Sequence, residues 1–434
     1  MLHLIAERGD DGVWISVADP AQLQARVDWL AAVPDPDELP LFGIPFAVKD
    51  SLDVAGWETT LACPGYATVA QETAPAVQRL LDAGAILIGK TNLDQFATGL
   101  NGTRTPYAVP RSVYGRGLIS GGSSSGSALA VALGEVPFAV ATDTAGSGRV
   151  PPALNGVVGF KPSRGLISTV GLVPACRSLD CVSLIATTVE DVALLLDVVA
   201  APDGRDPWSR HRTPARPGDL RNPRVGLPAV AELAFFGDDA MCAAHLASRA
   251  RVPDLFDRVV TPPLAPFLDA GELLYQGPWV AERLVEFGDF LAAEPDAVLP
   301  VVADIIRGGA RFSAVDVFRA QYRLAELKSV VAGLFTAMDV LVLPTIGTTF
   351  TVEVVLAEPI STNTVLGHYT HFGNLLDLCA VAVPAGTTAD GRPASTMVLG
   401  PALSDDLVLA VARRLAVDPA HRSRPHHPVL QETR

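Results

Sequence analysis

Cysteine is too sparse in this 434-residue chain to organise it. The five cysteines, Cys63, Cys176, Cys181, Cys242 and Cys379, are odd in number and form no CxxC pair. That argues against a disulfide framework or a zinc site and suits a reducing compartment. Aromatic residues make up only 6%, so the core must be built mainly from Ala, Val and Leu. Charged residues are also few, 18% against 49% hydrophobic, the reverse of a disordered chain. No basic stripe is present and the formal net charge is −14, so nucleic-acid binding is not expected. The acidic balance speaks for solubility. The opening run MLHLIAERGDDG lacks the apolar segment of a signal peptide, and no uninterrupted apolar stretch reaches the length of a membrane span. A cytoplasmic location is therefore expected.

What the chain does contain is alternation. Residues 1–40 read as a preamble with a helical stretch near Leu23–Ala32, closed by a Pro/Asp cluster at Pro34–Pro40. LFGIPFAVKDSLDV reads as a short buried strand entering a turn. Residues 75–83 read as a helix stopped by Gly84, and AILIG as a buried strand. GGSSSGSALAVALG at 121–134 is a Gly/Ser loop opening into an Ala-rich helix, and FAVATD at 138–143 is another buried strand. This order predicts an α/β fold with one large mixed sheet between helices. Residues 203–224, rich in Pro, Arg, Asp and Gly, are expected to be an exposed connection. Residues 228–340 read as mainly helical, 339–345 and 379–384 as returning strands, and 418–434 as a flexible tail.

One motif misleads. GAILIGKT at 84–91 matches the phosphate-loop pattern letter by letter. The residues between its glycines are Ala85, Ile86, Leu87 and Ile88, which favour a buried strand, and a helix precedes it where a strand should. Nucleotide binding is not expected there.

Serine is a weak nucleophile until a base takes its proton. Of the eight histidines, none lies near the Gly/Ser loops in sequence and three, His421, His426 and His427, are in the tail. A distant histidine is still open, because triad partners need not be sequence neighbours. Lys49 is a second candidate. It follows Ile44-Pro45-Phe46-Ala47-Val48, and burial would lower its pKa and free a neutral amine. From that stretch alone, a lysine at a strand end with its head in water is the favoured reading, because most lysines are exposed. Two small-residue turns stand out as partners. Ser123 sits in Gly121-Gly122-Ser123-Ser124, and Ser147 in Asp143-Thr144-Ala145-Gly146-Ser147. Successive N–H groups in such a turn, here those of Thr144, Ala145, Gly146 and Ser147, can converge into an oxyanion hole.

GIPFAVKD, GGSSSGSA and TDTAGSGRVP, in that order, resemble the amidase signature family, with the two serines 24 positions apart as in that family. The resemblance runs from about residue 40 to about 410. It implies the amidase signature fold over 41–417, with Ser147 as nucleophile, Ser123 as a bridging serine after a cis peptide, and Lys49 as base. Asp143 and Arg149 would hold the loop, while Ser124, Ser125 and Ser127 would be structural donors. No cofactor, metal, nucleic acid or membrane is implied; the partner would be a small-molecule substrate, with a homodimer as the assembly.

Finer features narrow the resemblance. TDTAGSGRVP, with Ala145 in place of a more usual Gly, looks like the allophanate hydrolase branch, as do KTNLDQFATGLNGTRTPY, PACRSLDCVS, YQGPWVAER and LGHYTHFGNLLDLCAVAVPAG. In that branch a Tyr and an Arg eight residues apart hold a small carboxylated urea, and Tyr275 and Arg283 match. Gly99 matches a glycine whose backbone contacts substrate. Without the resemblance, Tyr275 and Arg283 would read as two residues on one exposed helix face. His371 departs from a more usual Asn, and Pro152 from a more usual Ala. Longer allophanate hydrolases carry a second C-terminal domain that this chain is expected to lack. Two other readings remain at this point: an amidase for another small amide, and an amidase-like component of a tRNA-dependent amidotransferase.

Overall fold

The computed structural model describes residues 2–212, 215, 220 and 222–417. Eleven strands form one sheet: β1 (Trp14–Val17), β2 (Pro45–Lys49), β3 (Ile86–Thr91), β4 (Phe138–Asp143), β5 (Val158–Lys161), β6 (Cys181–Ala186), β7 (Arg224–Gly226), β8 (Arg258–Val260), β9 (Val340–Pro344), β10 (Cys379–Thr387) and β11 (Pro393–Gly400). Their spatial order is β1-β3-β2-β4-β6-β5-β10-β11-β9-β7-β8. The pairs β3/β2, β2/β4, β9/β7 and β7/β8 are parallel and the others antiparallel, so the sheet is mixed as expected. A separate two-stranded piece, Glu58–Thr59 with Thr68–Val69, is too small to form a second layer.

Helices cover both faces because the strands alternate. Phe138 and Val140 of β4 face one core, and Ala139 and Ala141 face the other. The first core runs under α2 (Pro75–Asp82), α5 (Val189–Val199) and α11 (Asp405–Leu415). In α5 the buried residues Val189, Val192, Leu195, Leu196 and Val199 form a helical stripe, and Thr188 with Asp191 closes a capping box at its start. The opposite face is divided. Small residues of α3 (Ser125–Ala132) cover β2–β6, while α6 (Ala265–Tyr275), α9 (Ala314–Leu334) and α10 (His371–Leu375) cover β9–β11. Helix α3 lies very close to its neighbours. A Cβ on Gly126 would stand 2.2 Å from the Val13 carbonyl oxygen, so a larger residue there would push the helix away.

Several sequence expectations need correction. The preamble is not only helical, because Trp14–Val17 adds the edge strand β1 beside β3. Helix α1 (Pro20–Ala31) starts three residues before the expected Leu23, since Asp19 and Gln22 form a capping box that fixes its beginning. Residues 203–212, expected to be part of an exposed connection, are partly buried and anchored: the Asp206 carboxylate accepts from Thr169 N (2.7 Å) and Trp208 N (2.8 Å), and the Arg164 guanidinium lies 4.3 Å from the Trp208 ring centroid. The phosphate-loop lookalike needs no correction: it is the interior strand that its apolar residues predict, β3. The tail at 418–434 lies outside the described residues. Among the described residues, no helix is long and apolar enough to cross a membrane.

Candidate active site

The sheet topology brings the candidate groups to one edge. Strands β2 and β4 are parallel neighbours, so their carboxyl ends, Lys49 and Asp143, lie at the same end of the sheet. Strand β6 is antiparallel to β4 with Cys181 opposite Asp143, so Asp180, just before it, arrives at that edge too. Crevices at carboxyl strand ends are the usual place for ligands in α/β sheets.

Lys49 is fully buried, and its Nζ lies 2.7 Å from Ser123 Oγ and 2.7 Å from Thr142 Oγ1. Burial pushes its pKa from the ordinary 10.5 to about 7, against the opposing pull of Asp94, Asp180 and Asp143. The Gly122–Ser123 peptide is cis. Ser124 and Ser125 point elsewhere, donating to the Thr142 and Asn92 carbonyls (3.2 and 3.4 Å), and Ser127 Oγ lies 2.7 Å from Thr91 Oγ1.

Ser147 stands in the turn after β4, 2% exposed. Among the described residues no hydrogen bond engages its hydroxyl. The turn is wound around the Asp143 carboxylate, which accepts from Gly146 N (2.9 Å), Gly148 N (3.0 Å) and, through two bonds of 2.8 and 2.9 Å, the Arg149 guanidinium. Burial alone would raise the Asp143 pKa, but Arg149 and these donors hold it below the ordinary carboxylate value. One oxyanion expectation is thereby corrected: the Gly146 N–H turns inward to Asp143, which leaves Thr144, Ala145 and Ser147 as the candidate donors. Gly146 has φ +135, and a Cβ there would lie 2.3 Å from Thr370 Oγ1.

Tyr275 and Arg283 are not on one exposed face. Gly277 and Pro278 break the helix, so Tyr275 ends α6 while Arg283 sits in α7 (Ala281–Ala293), wholly buried. The guanidinium carbon lies 5.4 Å from the Tyr275 ring centroid. Its Nε donates to Thr98 Oγ1 (3.2 Å), while its two terminal nitrogens are buried with no hydrogen-bond partner among the described residues. Gly99 follows Thr98 with φ +157; a Cβ there would stand 2.6 Å from Asp94 Oδ2. Asp94 ties this loop to the serines. Its carboxylate accepts from Gly102 N (3.1 Å) and Arg104 N (2.9 Å), and its N–H donates to the Ser123 carbonyl (3.0 Å). Burial raises the Asp94 pKa, and Arg104 works against that.

The two departures differ in consequence. His371 packs on Tyr275 with ring centroids 5.0 Å apart, and burial pushes its pKa down to about 3, so it is neutral. Pro152 lies in α4 (Val150–Asn155), over the position of Gly159 in β5, and so meets the sheet. Beyond Tyr275 opens a cavity of about 580 Å³, lined by Arg104, Val280, Ile305, Ile360 and Asn363 among others. Sequence reasoning gave no role to Asp94, Thr98, Asp180, Thr370 or Asn374. Asp94 and Asp180 had one usable signal, an acidic residue in a short loop beside a buried strand.

The sequence profile of the Amidase family matches residues 11–409. The urea amidolyase of Lachancea kluyveri is 40% identical over 408 residues, covering 93% of this chain and 22% of that protein. This chain thus spans about a fifth of the length of that relative. The structure of Kluyveromyces lactis allophanate hydrolase superposes with a TM-score of 0.90 at 38% identity, covering 95% of this chain and 69% of that one. A component of the glutamyl-tRNA(Gln) amidotransferase of Deinococcus radiodurans is 34% identical over 411 residues, covering 87% of this chain and 84% of that protein.

Proposed function

Because this chain belongs to the Amidase family, we propose that it is an amidohydrolase whose substrate is a small carboxylated urea, allophanate, and that it works through Ser147, Ser123 and Lys49. Neutral Lys49 draws the proton of Ser147 through Ser123, and Ser147 Oγ attacks the terminal carbamoyl carbon. The N–H groups of Thr144, Ala145 and Ser147 receive the developing oxyanion. The proton on Lys49 returns to the departing nitrogen, releasing ammonia and leaving an acyl-enzyme. Water, activated by the same relay, then frees the product, an imide nitrogen bearing two carboxyl groups. The five cysteines, all free, fit a cytoplasmic setting.

The observation that carries the substrate reading is Arg283. A buried guanidinium with two unpaired nitrogens, bordered by Tyr275, is a receptor for a carboxylate. The Deinococcus likeness keeps a second reading in view, that of an amidotransferase component, which would release ammonia from glutamine in a complex. One assay separates them: ammonia release by the purified chain from allophanate, malonamate and glutamine. Turnover of allophanate, abolished in Ser147→Ala, is expected. Turnover of glutamine with none of allophanate would replace the first reading by the second.

A further inference from the structure

We propose that Asp180 is a positioning residue that holds the oxyanion-donor turn in place through the Thr144 hydroxyl. The inference rests on the reading of Ser147 as nucleophile. Asp180 is 4% exposed and both its oxygens are engaged. Oδ1 accepts from Thr144 Oγ1, and Oδ2 accepts from the N–H groups of Ala175 (2.8 Å) and Cys176 (3.0 Å). Two backbone donors on one oxygen fix the carboxylate to the chain just before β6, which is itself paired to β4 along the sheet.

The direction of an N–H group is set by its peptide plane, so each plane of the turn can be followed. The plane between Asp143 and Thr144 is held at its carbonyl by Asn374 Nδ2 (2.8 Å). The plane between Ala145 and Gly146 is held at both ends, by Thr370 Oγ1 on the Ala145 carbonyl (2.8 Å) and by Asp143 on the Gly146 N–H. The plane between them, which carries the Ala145 N–H, has no such clamp of its own among the described residues. It is fixed through Thr144, whose side chain Asp180 grips. Donors aimed in advance lower the barrier because they need not reorganise as charge develops. Loosening Thr144 should therefore slow the step that forms the oxyanion and leave the Arg283 pocket as it was.

Two readouts test this. The first is the rate at which a fluorophosphonate–rhodamine probe labels the enzyme, which needs an active serine and no carboxylate recognition. The second is kcat and KM for allophanate. Thr144→Val is expected to lower the labelling rate and kcat about 10- to 100-fold, less than the loss of a donor itself, with KM within about threefold. Thr144→Ser, which keeps the hydroxyl, should recover most of that loss. Asp180→Asn should fall no further than Thr144→Val, and the double variant no further than Thr144→Val alone, because without the Thr144 hydroxyl Asp180 has no contact with the turn to lose. Labelling of Thr144→Val at the wild-type rate, an equal loss in Thr144→Ser, or multiplying losses in the double variant would overturn the proposal. If Asp180→Asn does not fold, the Thr144 pair still decides, since it leaves the carboxylate in place. Persistent labelling of Ser147→Ala is a different result: it would remove Ser147 as nucleophile, and the parent reading with it.

Discussion

Replacing Lys49 by Met should abolish activity and make the protein more stable. The side chains are similar in length, so the perturbation is the loss of the amine. A fall in pKa from 10.5 to about 7 corresponds to about 5 kcal/mol, at about 1.4 kcal/mol per tenfold change in proton affinity. The sign follows from proton counting. Between pH 7 and 10.5 the unfolded chain holds the proton and the folded chain does not, so stability rises with pH across that window. Burial of Lys49 thus costs most at and below pH 7 and nothing above 10.5. Against this stand the contacts to Ser123 and Thr142, both 2.7 Å, worth about 1 kcal/mol each. Lys49→Met should gain about 2–3 kcal/mol at neutral pH, and the gain should shrink by about 1.4 kcal/mol per pH unit on alkalinisation, so that the variant becomes the weaker protein above about pH 9. Urea unfolding at pH 7, 8.5 and 10 measures it. A Lys49→Met variant less stable at pH 7, or a difference constant from pH 7 to 10, would refute a depressed lysine pKa. The kinetic counterpart is an activity that climbs to about pH 7 and then levels. Lys49→Arg, which cannot shed its proton, should be inactive throughout.

Arg283→Ala should reduce kcat/KM for allophanate by the equivalent of about 2–5 kcal/mol, with a much smaller change for an uncharged amide of similar size; equal losses on both at unchanged melting temperature would remove the carboxylate assignment. Arg149→Met should lower stability by about 3–5 kcal/mol at pH 7, because it strands the Asp143 carboxylate, and a melting temperature within a degree of wild type would contradict this. A bound carboxylate adds negative charge to the site, so for allophanate the acid limb of kcat should lie above that of kcat/KM; coincident limbs would place the anion too far from Lys49 to matter.

The parts legible in the sequence were those written locally. Lys49, Ser123 and Ser147 were visible as residue types in small-residue turns beside apolar runs, and the structure places Lys49 and Ser123 in contact and Ser147 on the turn after β4. Strands β2, β3 and β4 announced themselves because both of their faces are buried. Strand β1 did not, since WISV is only half-buried throughout and shows no two-residue alternation. The helix break between Tyr275 and Arg283 was underweighted, although Gly277-Pro278 is a stop signal. Asn374 was not legible at all, and Asp180 only as an acidic residue beside a buried strand, with nothing to say what it faces. Their place beside the Ser147 turn depends on β6 running antiparallel to β4 and on α10 preceding β10 at the same edge, and topology of that kind leaves no local pattern. The engagement of the Gly146 N–H was hidden for a simpler reason: which way an N–H points is decided by the turn, not by the residue.

The charged groups around this turn respond to burial in two ways. Asp94, Asp143 and Asp180 each accept at least two hydrogen bonds from backbone or side-chain donors, so fixed dipoles replace the lost water. Arg149 is matched by Asp143, two nitrogens to two oxygens. Among the described residues Lys49 and Arg283 have no such match. Lys49 adapts by giving up its proton near neutral pH, the property that the proposed mechanism requires of its base. Arg283 cannot follow that route, because a guanidinium stays protonated in any protein environment. Thr98 and the Tyr275 ring meet part of its need, and on the proposed function an anion brought from outside meets the two nitrogens left unpaired among the described residues. On the proposed function, the same desolvation makes a proton acceptor of one side chain and an anion receptor of the other. A carboxylated amide is the kind of substrate that needs both.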